Sequence, residues 1–162
     1  MKVQSAAAIL AASFLSVAAV GGAAPAPQTG GAPTAAELIA ARQAAFDMSV
    51  QAIGVMRQAA DEGKDPKGYG YAAVGLSKWA KALPGLFPRG TVRGETEIWT
   101  QAEPTIWSDR KGFEEAAANY AAAAAELGRR AQANDLPGFR AQLAEVGEAC
   151  SACHASYKAG PK

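Results

Sequence analysis

The chain is poor in the residues on which most enzyme chemistry depends, with a single histidine and two cysteines among 162 residues. One histidine leaves no second imidazole for acid–base work or for a second bond to a metal ion. No GxSxG turn or phosphate-binding glycine loop occurs. The formal net charge is only +1, and no run of like charges suggests a nucleic acid partner. These absences argue against an enzyme and against nucleic acid binding.

The two cysteines and the histidine stand together, as Cys150-Ser151-Ala152-Cys153-His154. This spacing is the one at which c-type haem is attached to protein. The two thiols add to the haem vinyl groups, and the histidine that follows becomes an axial ligand of the iron. The sequence therefore predicts one covalent haem c, anchored by Cys150 and Cys153, with its iron bound by His154.

Other interpretations of the same three residues stay open. A structural zinc site usually takes four ligands, and this cluster supplies three. A thioredoxin-like redox pair belongs beside a βαβ pattern, which the chain lacks. In an oxidising compartment the cysteines of a haem-free protein would form a disulfide. A haem-free bundle with a Cys150–Cys153 disulfide is therefore kept as an alternative.

The N-terminal residues predict export. Lys2 precedes an apolar stretch over residues 6–20, and small residues follow at 21–24. This arrangement is typical of a secretory signal peptide and too short for a membrane span. We expect a signal peptide over residues 1–23, a disordered lead-in rich in proline and glycine over 24–33, and one domain over 34–162. The mature protein is then periplasmic and has no membrane span.

Four helical segments are predicted within the domain. The first runs over residues 34–62 from a capping box at Thr34 and Glu37, and the second over 69–83. The third runs over 104–133 from Pro104, and the fourth over 136–158. Residues 84–103 are expected to be irregular, and no stretch alternates like a strand. The predicted fold is all-α, an antiparallel four-helix bundle with haem c on the last helix.

Stripes at intervals of three and four residues orient two of these helices toward a core. The first helix carries Ile39, Arg42, Phe46, Ser49, Ile53 and Met56, and the last carries Phe139, Leu143, Val146, Cys150, Cys153 and Tyr157. The second stripe leads into the predicted haem attachment point. Acidic residues of the third helix, Asp109, Glu114 and Glu115, are expected on a solvated face. Trp79, Trp99 and Trp107 are expected in the core or against the haem.

Together these patterns resemble the cytochrome c′ family, the class II c-type cytochromes. The family's tail matches residues 150–158, and its first-helix pattern matches Arg42-Gln43-Ala44-Ala45-Phe46. Its middle pattern matches three further segments: Leu83-Pro84 with Phe87, Pro88-Arg89-Gly90, and Pro104-Thr105-Ile106-Trp107. The resemblance implies an exported four-helix bundle that carries one haem c and is often a homodimer packed through its first two helices.

The resemblance also implies roles for residues outside the CxxCH motif. Phe46 falls where the family places the residue over the open face of the iron, and Arg42 where an arginine pairs with a haem propionate. Tyr157 and Lys158 belong to the family's tail, in which an arginine is more common at the last position. Two aromatic residues, Phe87 and Trp107, are expected to touch the porphyrin.

The expected function depends on which side chain faces the iron opposite His154. A phenylalanine cannot ligate iron, and Met48 lies about 200° around the helix from Phe46. A five-coordinate iron is therefore expected, which binds nitric oxide or carbon monoxide and exchanges electrons with small redox partner proteins. The alternative is a six-coordinate electron carrier in which a shifted helix lets Met48 ligate the iron. Neither is an enzyme.

Overall fold

The computed structural model describes residues 30–160, which form an all-helical bundle. Its α-helices are α1 (Ala35–Asp61), α2 (Gly70–Ala82), α3 (Thr105–Ser108), α4 (Arg110–Gln132) and α5 (Leu136–Tyr157). Short 3₁₀ helices, Pro66–Tyr69 and Leu83–Leu86, flank α2. The four long helices confirm the predicted bundle. The predicted signal peptide and most of the lead-in lie outside the described residues.

Capping side chains begin α1 and α5 where the sequence predicts. The Thr34 hydroxyl accepts a hydrogen bond from the Glu37 amide at 3.2 Å, and the Glu37 carboxylate accepts one from the Thr34 amide at 2.7 Å. At the start of α5, the Asp135 carboxylate accepts a hydrogen bond from the Gly138 amide at 2.9 Å. Both caps satisfy amide groups that have no partner within the helix.

The prediction of one continuous third helix is wrong at its N-terminal end. A single turn, α3, ends at Ser108, and the backbone leaves the helical region at Asp109 with φ −125° and ψ 56°. The Asp109 carboxylate then caps α4, accepting hydrogen bonds from the Gly112 amide at 3.1 Å and from the Tyr157 hydroxyl at 2.7 Å. Asp109 is therefore a cap tied to another helix, in addition to belonging to an exposed acidic face.

Small side chains let α2 and α4 approach closely. The buried residues along their contact are Ala73, Ala80, Ala121, Ala124 and Gly128. A Cβ atom added at Gly128 would lie 3.2 Å from a methyl carbon of Val74. Inside the contact, the Ser77 hydroxyl donates a hydrogen bond to the Ala121 carbonyl at 2.9 Å. We call this contact the α2–α4 seam.

The stripes predicted on α1 and α5 face inward. Nine of their residues are buried: Ile39, Arg42, Ser49, Ile53, Met56, Phe139, Leu143, Val146 and Tyr157. The other three, Phe46, Cys150 and Cys153, are only half-buried, and all three border a cavity. Within residues 30–160, no helix has both the length and the apolar character needed to cross a bilayer.

Candidate haem-binding site

A cavity of about 530 Å³ opens between α1, α4, α5 and the segment that joins α2 to α4. Eight of the nine predicted site residues line it: Arg42, Phe46, Phe87, Cys150, Cys153, His154, Tyr157 and Lys158. The remaining walls are largely apolar, with Ile53, Leu83, Ile106, Phe113 and Ala117 among them. The volume lies within the range of cavities that hold small molecules and cofactors.

The CxxCH residues form the α5 wall of this cavity. Cys150 and Cys153 lie one turn apart on α5, and both are free thiols. Burial raises the pKa of both thiols, so they remain protonated at neutral pH. Partial burial, together with the charge of Lys158, lowers the pKa of His154 and favours the neutral imidazole. Neutral imidazole is the form that binds a metal ion.

Arg42 is a buried cation on the α1 wall, with only 2% of its surface exposed. Its guanidinium donates hydrogen bonds to the carbonyls of Leu86 and Thr91 and to the hydroxyls of Thr91 and Thr100. It also lies 4.2 Å from the centre of the Phe87 ring. Among residues 30–160 no carboxylate pairs with it, and desolvation lowers its pKa to about 10. An acidic group within the cavity would neutralise this charge.

Phe46 lines the cavity on the same helix. Its ring packs edge-on against Trp79, with 5.4 Å between ring centres and an angle of 82° between planes. Met48 is 66% exposed, and Met56 is fully buried. Neither methionine is among the residues that line the cavity, so the described part of the chain brings no thioether to it.

Trp107 is the one predicted site residue that the structure places outside the cavity. The centre of its ring lies 4.7 Å from the guanidinium carbon of Arg89 and 4.8 Å from that of Arg110. Trp99 lines the cavity instead, although 59% of its surface is exposed. The Trp99 carbonyl accepts a hydrogen bond from Gln43 at 3.2 Å. No sequence pattern separates these two tryptophans, because both lie outside a long periodic helix.

Tyr120, on α4, lines the cavity in addition to the predicted site residues. It is 6% exposed, and desolvation raises the pKa of its hydroxyl to about 12. The phenol therefore stays neutral across the physiological range. Its position on α4, opposite the α1 wall, becomes evident only when the helices are packed together.

The residues present fit a covalently attached haem. A largely apolar cavity holds two free thiols, one imidazole and a buried cation that lacks a carboxylate partner. Within residues 30–160, no three His, Cys, Asp or Glu side chains converge enough to bind a metal ion directly, so the zinc interpretation finds no support. The fold and the cavity together define a helical-bundle haem protein.

Comparison with known proteins identifies the family. The model of the cytochrome c′ family matches residues 37–158. Cytochrome c′ of Rubrivivax gelatinosus is 34% identical over 120 residues, which cover 72% of this chain and 90% of that protein. Cytochrome c-554 of Cereibacter sphaeroides is 34% identical over 90 residues, which cover 55% of this chain and 58% of that protein. The chain belongs to the cytochrome c′ family, whose proteins carry covalent haem c with iron.

Solved structures confirm the fold. The crystal structure of Rubrivivax gelatinosus cytochrome c′ matches with a TM-score of 0.67 at 29% identity, covering 76% of this chain and 96% of that one. A nitric oxide complex of a variant cytochrome c prime from Alcaligenes xylosoxidans matches with a TM-score of 0.69 at 24% identity, covering 79% and 98%. A cytochrome c′ with ligand-controlled dimer dissociation matches with a TM-score of 0.73 at 21% identity, covering 80% and 100%.

Proposed function

We propose that the protein is a periplasmic haem protein with a five-coordinate haem c that binds nitric oxide or carbon monoxide and exchanges single electrons. The observation that carries this proposal is the α1 wall of the cavity. Phe46, which has no ligating atom, lines the cavity, while the sulfur-bearing Met48 and Met56 do not. Because His154 is the only histidine, no second imidazole is available to the iron.

Four residues of the cavity would then hold the haem. When bound, the haem would supply a redox-active iron that can take up a gas ligand. Cys150 and Cys153 would hold it through thioether bonds, and His154 would bind its iron. Arg42 pairs with a propionate, which supplies the carboxylate that its buried guanidinium lacks.

The Phe46 side chain, on the α1 wall, would determine which gas ligands can reach the iron. Phe46 is held against Trp79, so its ring cannot swing freely away from the cavity. Bulk at this position disfavours large ligands. With no distal imidazole to donate a hydrogen bond, nitric oxide is favoured over ligands that need polar stabilisation. The nitric oxide complex known for the Alcaligenes relative supports this choice of ligand.

Absorption spectra test the coordination state. Purified exported protein is examined in the ferric and ferrous states, with and without nitric oxide. We expect high-spin spectra that change on addition of the gas. Phe46→Met serves as the comparison, since a thioether at the α1 wall should convert the ferrous spectrum to a sharp low-spin form. A low-spin spectrum already present in the wild type would overturn the proposal in favour of the six-coordinate electron carrier.

The remaining alternative and the location have separate tests. A pyridine haemochrome assay on periplasmic protein should report one haem per chain, whereas a colourless product with a Cys150–Cys153 disulfide would support the haem-free alternative. Cell fractionation should find the coloured protein in the periplasm, with residues 1–23 removed. Retention of those residues, read by N-terminal sequencing, would contradict the export prediction.

A homodimer through α1 is the partner that we propose for the outer surface. Met48 and Val55, seven residues apart and so on one face of α1, are 66% and 54% exposed. Sedimentation of the wild type should show a dimer, and Met48→Glu should shift it toward monomer. Asn119→Glu, at an exposed site on α4, is the matched surface change. A monomeric wild type would overturn this part of the proposal.

A further inference from the structure

The end of α5 that carries the CxxCH motif is tied to the segment of residues 101–109, which we call the strap. Backbone bonds join the Glu103 amide to the Tyr157 carbonyl at 3.0 Å and the Ala159 amide to the Gln101 carbonyl at 2.8 Å. The Thr105 hydroxyl donates to the Ser156 carbonyl at 2.7 Å. The fourth bond joins two side chains, from the Tyr157 hydroxyl to the Asp109 carboxylate at 2.7 Å.

The Asp109–Tyr157 bond differs from the other three because it reaches into the cavity wall. Tyr157 follows His154 by three residues, is 8% exposed and lines the cavity. Its ring packs edge-on against Phe113, with 5.3 Å between ring centres, and Phe113 packs in the same way against Phe87 at 5.1 Å. Asp109 therefore holds one end of a row of aromatic rings that borders the haem position.

Gly112 leaves the space that this bond needs. A Cβ atom added at Gly112 would lie 2.5 Å from the Tyr157 hydroxyl oxygen and would also overlap the Asp109 carboxylate. Any side chain at this position would push the two bonded groups aside. The interruption between α3 and α4 at Asp109 gives the same carboxylate access to both the Gly112 amide and the Tyr157 hydroxyl.

We propose that Asp109 is a positioning residue for the axial ligand His154, acting through Tyr157. Without the bond, the last turn of α5 would keep its backbone hydrogen bonds to the strap. It would lose the contact that fixes the Tyr157 side chain in the cavity wall. The orientation of the imidazole on the iron would then vary more. This inference rests on the proposed function, since it takes His154 as the axial ligand.

Three variants of the haem-loaded protein test the bond: Tyr157→Phe, Asp109→Ala and Gly112→Ala. We expect each to speed amide hydrogen exchange in residues 154–159 by roughly two- to tenfold, the factor for one lost hydrogen bond. We also expect each to shift the reduction potential and the high-spin absorption bands in the same direction. The double variant of Tyr157→Phe with Asp109→Ala should shift the potential no further than Asp109→Ala alone, because the Tyr157 hydroxyl has already lost its acceptor in that variant.

Gly112→Ala best distinguishes a change in the haem environment from a change in helix stability. Alanine normally stabilises a helix relative to glycine, so a purely helical effect would raise the thermal stability and leave the spectrum alone. We expect the spectrum to shift instead. The matched control is Asp135→Ala, which removes the capping carboxylate of α5, where the partners are Gly138 and Arg130. It should lower the melting temperature without moving the potential.

The outcome that overturns the inference is a set of strap variants that behave like the control, with lower melting temperatures but an unchanged potential, spectrum and exchange at residues 154–159. The proposed function fails differently, through a low-spin spectrum in the wild type. The hydrogen exchange measurement still reports on the strap in that case, so the two failures are distinguishable.

Discussion

The two halves of this bundle are built in opposite ways. Along the α2–α4 seam, alanine and glycine bring two helices together, and the Ser77 hydroxyl inside the contact is hydrogen-bonded. Between α1 and α5, larger side chains line a cavity of about 530 Å³ that includes a buried cation and two thiols. The difference indicates that one half supplies the stability that allows the other half to stay open for a ligand.

The largest loss of stability should come from the closed half. Leu127 on α4 has none of its surface exposed, so Leu127→Ala should reduce the free energy of unfolding by about 2–5 kcal/mol. Urea denaturation measures this loss, and Ile98→Ala, at a 38% exposed site, is the control. The absorption spectrum of the folded variant should not change. A loss no larger than that of the control would mean that stability is not concentrated beside the seam.

In the open half, the largest loss should come from Arg42→Met. Methionine fills a similar volume but removes the guanidinium donor of the Leu86 and Thr91 carbonyls, whereas the Thr100 hydroxyl still accepts a hydrogen bond from the Ala102 amide. We expect a loss of about 2–4 kcal/mol in denaturation of the haem-free protein. Arg42→Lys should recover part of it, since a lysine keeps the charge but not the planar fork. Equal stability of the wild type and the methionine variant would show that these bonds do not hold the segment.

A smaller loss of unfolding free energy is expected when the Ser77–Ala121 hydrogen bond of the seam is removed. Ser77→Ala removes the hydroxyl that bonds the Ala121 carbonyl, and it should cost about 0.5–1.5 kcal/mol. The same denaturation experiment measures it. Because no titratable group takes part, this loss should be constant with pH, and a loss that varied between neutral and acidic solution would count against the assignment.

The stabilisation that the Asp109–Tyr157 contact provides should instead depend on pH. The Tyr157 hydroxyl, followed by the Gly112 amide, holds the pKa of Asp109 below its usual value of about 3.9. A carboxyl whose pKa is lowered by folding stabilises the fold above its unfolded pKa, and that contribution is lost as the pH falls through the folded pKa. The difference in melting temperature between wild type and Asp109→Asn should therefore be steady above about pH 5 and close in stronger acid. A difference that widened in acid would contradict this.

The smallest change in the free energy of unfolding is expected at Trp99, although tryptophan has the largest side chain. It lines the cavity but is 59% exposed, so Trp99→Leu should alter the free energy of unfolding by no more than about 0.5 kcal/mol. Thermal denaturation of the haem-free protein is the measurement. A loss near that of Leu127→Ala would show that the cavity rim belongs to the stabilising core, and the contrast between the halves would fail.

Local patterns in the sequence were enough for most of the architecture. The Thr34 cap and the Asp135 cap each involve partners within a few residues, so spacing alone predicts where α1 and α5 begin. The stripes on these helices repeat at the period of an α-helix, and their burial follows from that period. The CxxCH spacing likewise placed two thiols and an imidazole on one stretch of one helix.

Long-range contacts explain what the sequence did not show. Asp109 interrupts a segment that looks continuous, because its carboxylate is bonded to a hydroxyl 48 residues away. Trp107 lies outside the cavity that it was expected to border, and Trp99 lies at the cavity rim, because the segment between α2 and α4 has no period to orient it. The stripe on α1 predicts that Arg42 faces the core, but its bonds to Thr91 and Thr100 depend on how that segment folds back over α1.

The sequence by itself determined the helices, their inward faces and the attachment chemistry, since each of these depends on residues that are near one another in the chain. Only the tertiary structure decided the size of the cavity, the side chains at its rim and the contact that steadies the end of α5. Those features arise where segments distant in the sequence pack together. The free energy of such packing depends on the shapes and charges of both segments, which the spacing of residues within one segment does not reveal.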